Sequence, residues 1–417
     1  MACVPVTGGV PCLNKINRTI SVRLNSGVHM RFLLSKKFGL LVVSCICFSC
    51  ASCGGDDDPV GPTSNNLIFE RTYPGAHRSA GNDVIMTSDG SYLITGSNQS
   101  TPANRDVYLL KVDNKGTVIW EKTFGGVGSD YGAALLELPD GGYLIGGSSS
   151  SFGDGNDDFY LIKTDSLGIT VWEKTYDAGS RDYCASICLT SDGGYVLIGD
   201  TSANIFIIKV DRDGGLIWER TFLDMSGASI IETADNNFMI AGTKYTVVNN
   251  EFERDAMILK INSNGIPVWT KTFGVEQSRA RSIIPSSTGG YIASGYTQGS
   301  GADIREMYLI NIDSNGETIW IRNYGGDGND YSDSVAQTSD GGFILTGSTE
   351  SFGAGNFDVY LVKVEQGGEF QWQKTFGGTN SDHGRAVGLS SDDGFVITGT
   401  KDGQLYLIKT DENGNVN

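Results

Sequence analysis

Histidine is almost missing from this chain: His29, His77 and His383 are the only three in 417 residues. That leaves little material for imidazole acid–base chemistry or zinc ligation. No Gly-x-Ser-x-Gly elbow, zinc-ligand spacing or phosphate-binding loop occurs either. Enzymatic chemistry needs a nucleophile, acid or base standing outside any repeat, and none is visible, so the chain reads as a non-enzyme with no cofactor. Positive charge is also short. Lys and Arg number 31 against 49 Asp and Glu, a net charge of −18, with no basic cluster after Lys37; phosphate binding needs one, which excludes nucleic acid as a partner. Six of the eight cysteines lie at or before Cys53. The other two, Cys184 and Cys188, fall four residues apart on one predicted strand, about 13 Å from each other and beyond disulfide reach. A core rather than cross-links must hold the domain together.

Glycine and aromatic residues are abundant: 57 Gly with 17 Tyr, 18 Phe and 6 Trp, against only 9 Pro. This is the composition of short aromatic strands joined by tight turns. Trp120, Trp172, Trp218, Trp269, Trp320 and Trp372 recur at intervals of 52, 46, 51, 51 and 52 residues, and Phe69 stands 51 before the first. Such a period marks a repeat architecture. Each unit reads as four strands: one ending near Asp-Gly, a second such as YLIGG, a third such as YLIKTD, and a fourth centred on Trp. Asp-Gly and Asp-x-x-Gly, as in Asp113 to Gly116, supply the positive-φ turns between antiparallel neighbours. Four strands make a propeller blade. A β-helix is the competing reading, but its repeats are usually shorter and lack four distinct strands.

Counting closes the ring. The second strand occurs seven times, at Tyr92, Tyr143, Tyr195, Phe238, Tyr291, Phe343 and Phe395, and the third also seven times, from Tyr108 to Tyr406. A seventh Trp strand is missing after DENGNVN, and NLIFERTY, residues 66–73, has its pattern with no preceding strands of its own. The predicted fold is therefore an all-β, seven-bladed β-propeller over residues 67–417. Each blade has four antiparallel strands, and the N-terminal strand closes the last blade, removing open sheet edges.

Ahead of the repeats, MRFLLSKKFGLLVVSCICFSCASC places Arg31, Lys36 and Lys37 before an apolar run from Phe38 to Phe48. The run is too short for a comfortable membrane span and has the layout of a signal peptide, over 30–52. Ala51 and Ser52 before Cys53 resemble the lipobox that directs lipid attachment to a cysteine; Cys50 departs from its usual Leu. An uncleaved anchor and an ordinary secretory signal stay open as alternatives. A lipid on Cys53 would anchor the protein to the membrane without spanning it, with residues 53–66 as a flexible linker. Residues 1–29 fit no targeting pattern and read as an over-extended start, translation beginning at Met30. Asp56, Asp57 and Asp58 resemble the acidic export signal of surface lipoproteins, so an outer-membrane, cell-surface location is expected, with the periplasmic face as the alternative.

From Leu67 onward the chain resembles the bacterial extracellular β-propeller repeat proteins, whose units read WxKTFGG, DGGYxIxGxT and DxYLIKxDxxG. WEKTFGG at 120 and WQKTFGG at 372 carry the likeness. The element Asp113, Gly116, Trp120 also resembles the Trp-docking repeat of quinoprotein propellers. That likeness implies architecture and is silent about activity.

Function is expected on the end where loops vary, formed by the connections between second and third strands and between blades. Blade four has the longest, Thr243 to Asp255, with Tyr245 and Arg254. At one position of the innermost strand the blades read Asn82, Ala133, Ala185, Ala228, Arg281, Asp333 and Arg385. Arg279 and His383 lie two residues before Arg281 and Arg385, on the same side by period two. This cluster is predicted at the channel mouth, either binding an anionic group through paired arginines or forming an ion-pair network that fills the channel. Ser151 to Asp158 and its counterpart Ser351 to Asp358 set carboxylates among glycines. Calcium takes such ligands, but a solvated turn fits better because Asp154 becomes Ala354. Repeated Asp130, Asp182, Asp330 and Asp382 are expected to cap backbone amides. The reading is a membrane-anchored binding module, expected to be a monomer, for a glycan, peptide or envelope protein, with exposed aromatics such as Tyr245 and Tyr296 as contacts. A quinoprotein-like oxidoreductase, a polysaccharide hydrolase or lyase, and an envelope scaffold are the alternatives.

Overall fold

The computed structural model describes residues 19–23, 29–33 and 68–416, apart from 76, 102–103, 155, 249–250, 274–276 and 299–303. Cys53, the predicted linker and residues 34–52 of the predicted signal lie outside them. Two compact units divide the chain, Met1–Ser64 and Asn65–Asn417. In the first, Thr19–Arg23 pairs antiparallel with His29–Leu33.

The second unit contains seven four-stranded antiparallel sheets and no helix among the described residues. Blade one is Arg78–Met86, Tyr92–Thr101, Asn104–Val112 and Val118–Phe124. Blades two to six repeat that order, and blade seven pairs His383–Leu389, Phe395–Lys401 and Gln404–Lys409 with the N-terminal Phe69–Tyr73. The first strands of neighbouring blades touch all the way round, blade seven meeting blade one. The ring is closed as the strand count predicts.

Among the described residues the core is divided into seven apolar clusters, each shared by two adjacent blades. Second strands read as continuous apolar runs because both faces are buried: Leu93 packs toward blade two, while Tyr92 and Ile94 pack toward blade seven. Fourth-strand tryptophans serve the same junctions. A Cβ on Gly168, Gly265, Gly316, Gly368 or Gly414 would strike the Trp of the preceding blade within 2.6–3.1 Å, and one on Gly116 would strike Phe69 at 2.8 Å. Phe69 therefore does for blade seven what Trp does elsewhere. Cys184 is buried and Cys188 half-buried, both unpaired, and burial pushes their thiols up to about 12 and about 11.

Candidate functional site

Every first strand carries a β-bulge at the same place. Register shifts between Gly81 and Asp83, Gly132 and Ala134, Cys184 and Ser186, Gly227 and Ser229, Ala280 and Ser282, Ser332 and Ser334, and Gly384 and Ala386. The skipped residues are Asn82, Ala133, Ala185, Ala228, Arg281, Asp333 and Arg385, and all seven line one cavity of about 330 Å³. A bulge frees a residue from the ladder and re-aims its side chain. Repeated seven times, it turns one position per blade into a circular wall. The cost falls on the second strand: a Cβ on Gly96, Gly147, Gly199, Gly242, Gly295, Gly347 or Gly399 would lie 1.8–1.9 Å from a first-strand carbonyl oxygen. Only glycine fits there.

Blades one to four contribute Asn and three Ala to this wall; blades five to seven contribute Arg281, Asp333 and Arg385. Arg281 Nε lies 4.0 Å from Asp333 Oδ1, and Arg385 Nη1 lies 4.0 Å from Asp333 Oδ2. Both separations exceed a hydrogen bond, so Asp333 attracts two guanidinium groups without engaging either. Arg281 Nε is buried and has no hydrogen-bond partner, and its guanidinium sits 5.8 Å from the Tyr296 ring centroid. Arg279 lines the same cavity.

Asp200, also in the cavity wall, is not among the residues predicted for the charged cluster, all of which lie on first strands. It sits at the end of the second strand of blade three, where the other blades carry Ser97, Ser148, Thr243, Tyr296, Ser348 and Thr400. Being the lone acid at that position was the available signal. Its Oδ1 accepts the Gly227 N–H at 2.8 Å, and burial pushes its carboxyl up to about 6 against the pull of Arg279 and Arg281.

The other predicted residues lie elsewhere. His383 does not line the cavity; its Nδ1 is 3.0 Å from Ser348 Oγ and its ring 5.3 Å from that of Phe357. Burial, with Arg385 nearby, lowers its pKa. The matching bulge in blade five leaves Arg279 in the cavity beside Arg281, so it is the turn of His383 toward Ser348 and Phe357 that parts it from Arg385. Tyr245 and Arg254 also stay off the cavity wall, facing each other in register. Their segment is mainly a hairpin extension, Phe238–Val248 against Glu251–Ile261, rather than a long loop. Tyr245 and Tyr296 are half-buried, not exposed, Tyr296 standing edge-on to Tyr331 at 4.8 Å.

The repeated acids cap turns as expected: Asp130, Asp182, Asp330 and Asp382 accept the backbone N–H of Gly126, Ala178, Gly326 and Gly378 at 2.6–3.0 Å. In Ser151 to Asp158, the solvated-turn reading holds for exposed Asp154 and fails for Asp158, which is 0% exposed.

A ring of bulges around a charged cavity on a seven-bladed frame defines the class: a β-propeller whose first strands enclose a charged cavity. No family model and no curated protein matches the sequence. Among solved structures, the WD40 domain of Neurospora crassa Pan2 is similar, with TM-score 0.55 and 8% identity, covering 84% of this chain and 97% of that one. So are Drosophila plexin A in complex with semaphorin 1b, at 0.51 and 7%, covering 82% and 87%, and the extracellular domains 1–2 of Drosophila semaphorin 1b, at 0.50 and 7%, covering 83% and 86%. These likenesses concern the fold.

Proposed function

We propose that this protein is a binding module of the cell envelope, held to the outer membrane by a lipid on Cys53, that takes a carboxylate-bearing glycan or peptide at its channel mouth. The observation carrying this reading is Arg281: a guanidinium presented by a bulge into a 330 Å³ cavity, with a buried, unpartnered Nε and Arg279 and Arg385 on the same wall. Three guanidinium groups there face two carboxylates, Asp200 and Asp333, leaving local positive charge in a chain whose net charge is −18. A guanidinium offers a planar fork matched to carboxylate, and its stabilisation is greatest away from water. A protein partner is a further reading, since one structure of similar fold is that of Drosophila plexin A in complex with semaphorin 1b.

The test titrates acidic and neutral oligosaccharides and acidic peptides into the purified chain. Acidic ligands are expected to bind, and Arg281→Ala and Arg385→Ala each to weaken them roughly ten- to a hundredfold; unchanged affinity in both variants sinks the reading. For the tether, Cys53→Ala is expected to move the protein from the membrane to the soluble fraction. Retention at the membrane would refute the lipid on Cys53.

A further inference from the structure

Blade junctions two/three and six/seven are near-copies whose charges have diverged. Each joins a buried acid at the start of a third strand, Asp158 or Asp358, to a buried acid at the start of the next first strand, Asp182 or Asp382. At junction six/seven three positions beside the acids are neutral or basic. Ala354 and Gly377 stand beside the acid pair, and Lys401 Nζ is 3.4 Å from the Gly377 carbonyl oxygen. Junction two/three has the opposite substitutions: Asp154 for Ala354, Asp177 for Gly377 and Thr201 for Lys401.

The result is four carboxylates with no lysine or arginine paired to any of them among the described residues. Carboxylate oxygens of Asp154, Asp158 and Asp177 all lie within 4.8 Å of one another. Asp182 stands outside that trio but within reach of its field: its carboxyl is raised by burial, with Asp177 and Asp154 adding to the effect. Asp158 and Asp182 are both 0% exposed, and each keeps one oxygen, Oδ1, without a hydrogen-bond partner. Unpaired Oδ1 atoms recur on Asp130 and Asp330, but Gly125 and Gly325 occupy the place of Asp177 there. Like charges gathered around a buried, unsatisfied carboxylate oppose folding unless a cation compensates them.

We propose that Asp154, Asp158, Asp177 and Asp182 bind a divalent cation, calcium, between blades two and three. Oxygen-only donors suit a hard cation, and a set drawn from two loops and two strand ends suits the larger, less geometrically demanding calcium over magnesium. Asp154 and Asp177, exposed and on loops, close over the ion; Asp158 and Asp182, already holding backbone amides through Oδ2, present Oδ1 as a fixed base. The ion would tie the two blades together at the variable end, independently of the arginine cavity.

Calorimetric titration of calcium chloride into the EDTA-treated full chain at neutral pH tests this. One site is expected, with affinity reduced roughly tenfold or more by Asp154→Asn and by Asp177→Asn. Both substitutions are at exposed positions, and both variants are expected to unfold at higher temperature than the parent when EDTA is present, because a repulsive charge is gone. Calcium should then raise the unfolding temperature of the parent and not of the variants. No heat of binding in the parent, or calcium binding undiminished in both variants, overturns the proposal; so does stabilisation of the variants in EDTA with no calcium effect on the parent, the mark of an acidic cluster that holds no ion.

Discussion

Gly199 shows how a backbone feature dictates a side chain. The bulge at Ala185 drives the Tyr183 carbonyl to within 1.8 Å of where a Cβ on Gly199 would sit. Backbone on both sides cannot yield as a flexible side chain would, so Gly199→Ala must flatten the bulge or part the strands. Overpacking of this kind costs at least about 2 kcal/mol, to be read as a lower urea midpoint. Gly179→Ala is the comparison, since nothing lies within 4 Å there and only its positive φ of 87° opposes the change. Asp200 sets a second test at this scale, one that presupposes an anionic ligand. Its folded pKa of about 6 means that above pH 6 it is ionised and competes with a bound carboxylate for Arg279 and Arg281. Below pH 6 it is neutral and leaves both arginines to the ligand. Affinity for an acidic ligand is therefore expected to rise as pH falls through 6, and Asp200→Asn, which keeps the acceptor for Gly227 N–H, should flatten that profile.

In six of the seven blades, the third-strand lysine and the Asp of the first turn form a latch. Lys111, Lys163, Lys209, Lys260, Lys363 and Lys409 approach Asp89, Asp140, Asp192, Asp235, Asp340 and Asp392 at 2.5–3.1 Å. Blade five loses both partners together: Asn311 stands for the lysine and Thr288 for the aspartate. That paired loss is what a buried cation requires, since an ammonium kept without its counter-charge is costly. Lys363, with a side chain 5% exposed, pairs with Asp340, 55% exposed. Asp340→Thr alone is expected to cost about 1–2 kcal/mol, discounted for the exposed partner. Adding Lys363→Asn, to reproduce blade five, should recover much of it, which a double-mutant cycle in urea would measure. Additive losses would show that the latch carries no coupling. Both letters of the latch were visible as repeat motifs, YLIK and Asp-Gly, yet their meeting was not. Sequence spacing ranks positions along a strand, whereas this contact joins a strand to the turn between its two inner neighbours.

At the scale of the whole ring, the blade number and the borrowed strand could be read directly, because both follow from counting motifs that the fold must pair. The bulges could not. A one-residue shift in register is silent in a two-residue period, so alignment found the seven wall positions without revealing that each is skipped; it also grouped both Arg279 and His383 with them, and only Arg279 lines the cavity, His383 turning to Ser348 and Phe357. Closure itself has a measurable consequence. Phe69–Tyr73 pairs with Gln404–Lys409 in register, Phe69 opposite Lys409 and Tyr73 opposite Leu405. Tyr73 joins the apolar cluster between blades seven and one, and its hydroxyl donates to the Gly116 carbonyl at 2.7 Å. Deleting residues 66–73 removes the outer strand of one blade and uncovers part of the junction that closes the ring, and the exposed edge of Gln404–Lys409 invites intermolecular pairing. The truncated chain is expected to aggregate and lose its cooperative thermal transition. Moving NLIFERTY behind Asn417 through a flexible linker lets the same strand fold onto blade seven from its own side, as in an unbroken repeat. That permuted chain should elute as a monomer and melt cooperatively near the parent temperature; if it behaves like the truncation, the N-terminal strand does more than complete the seventh sheet.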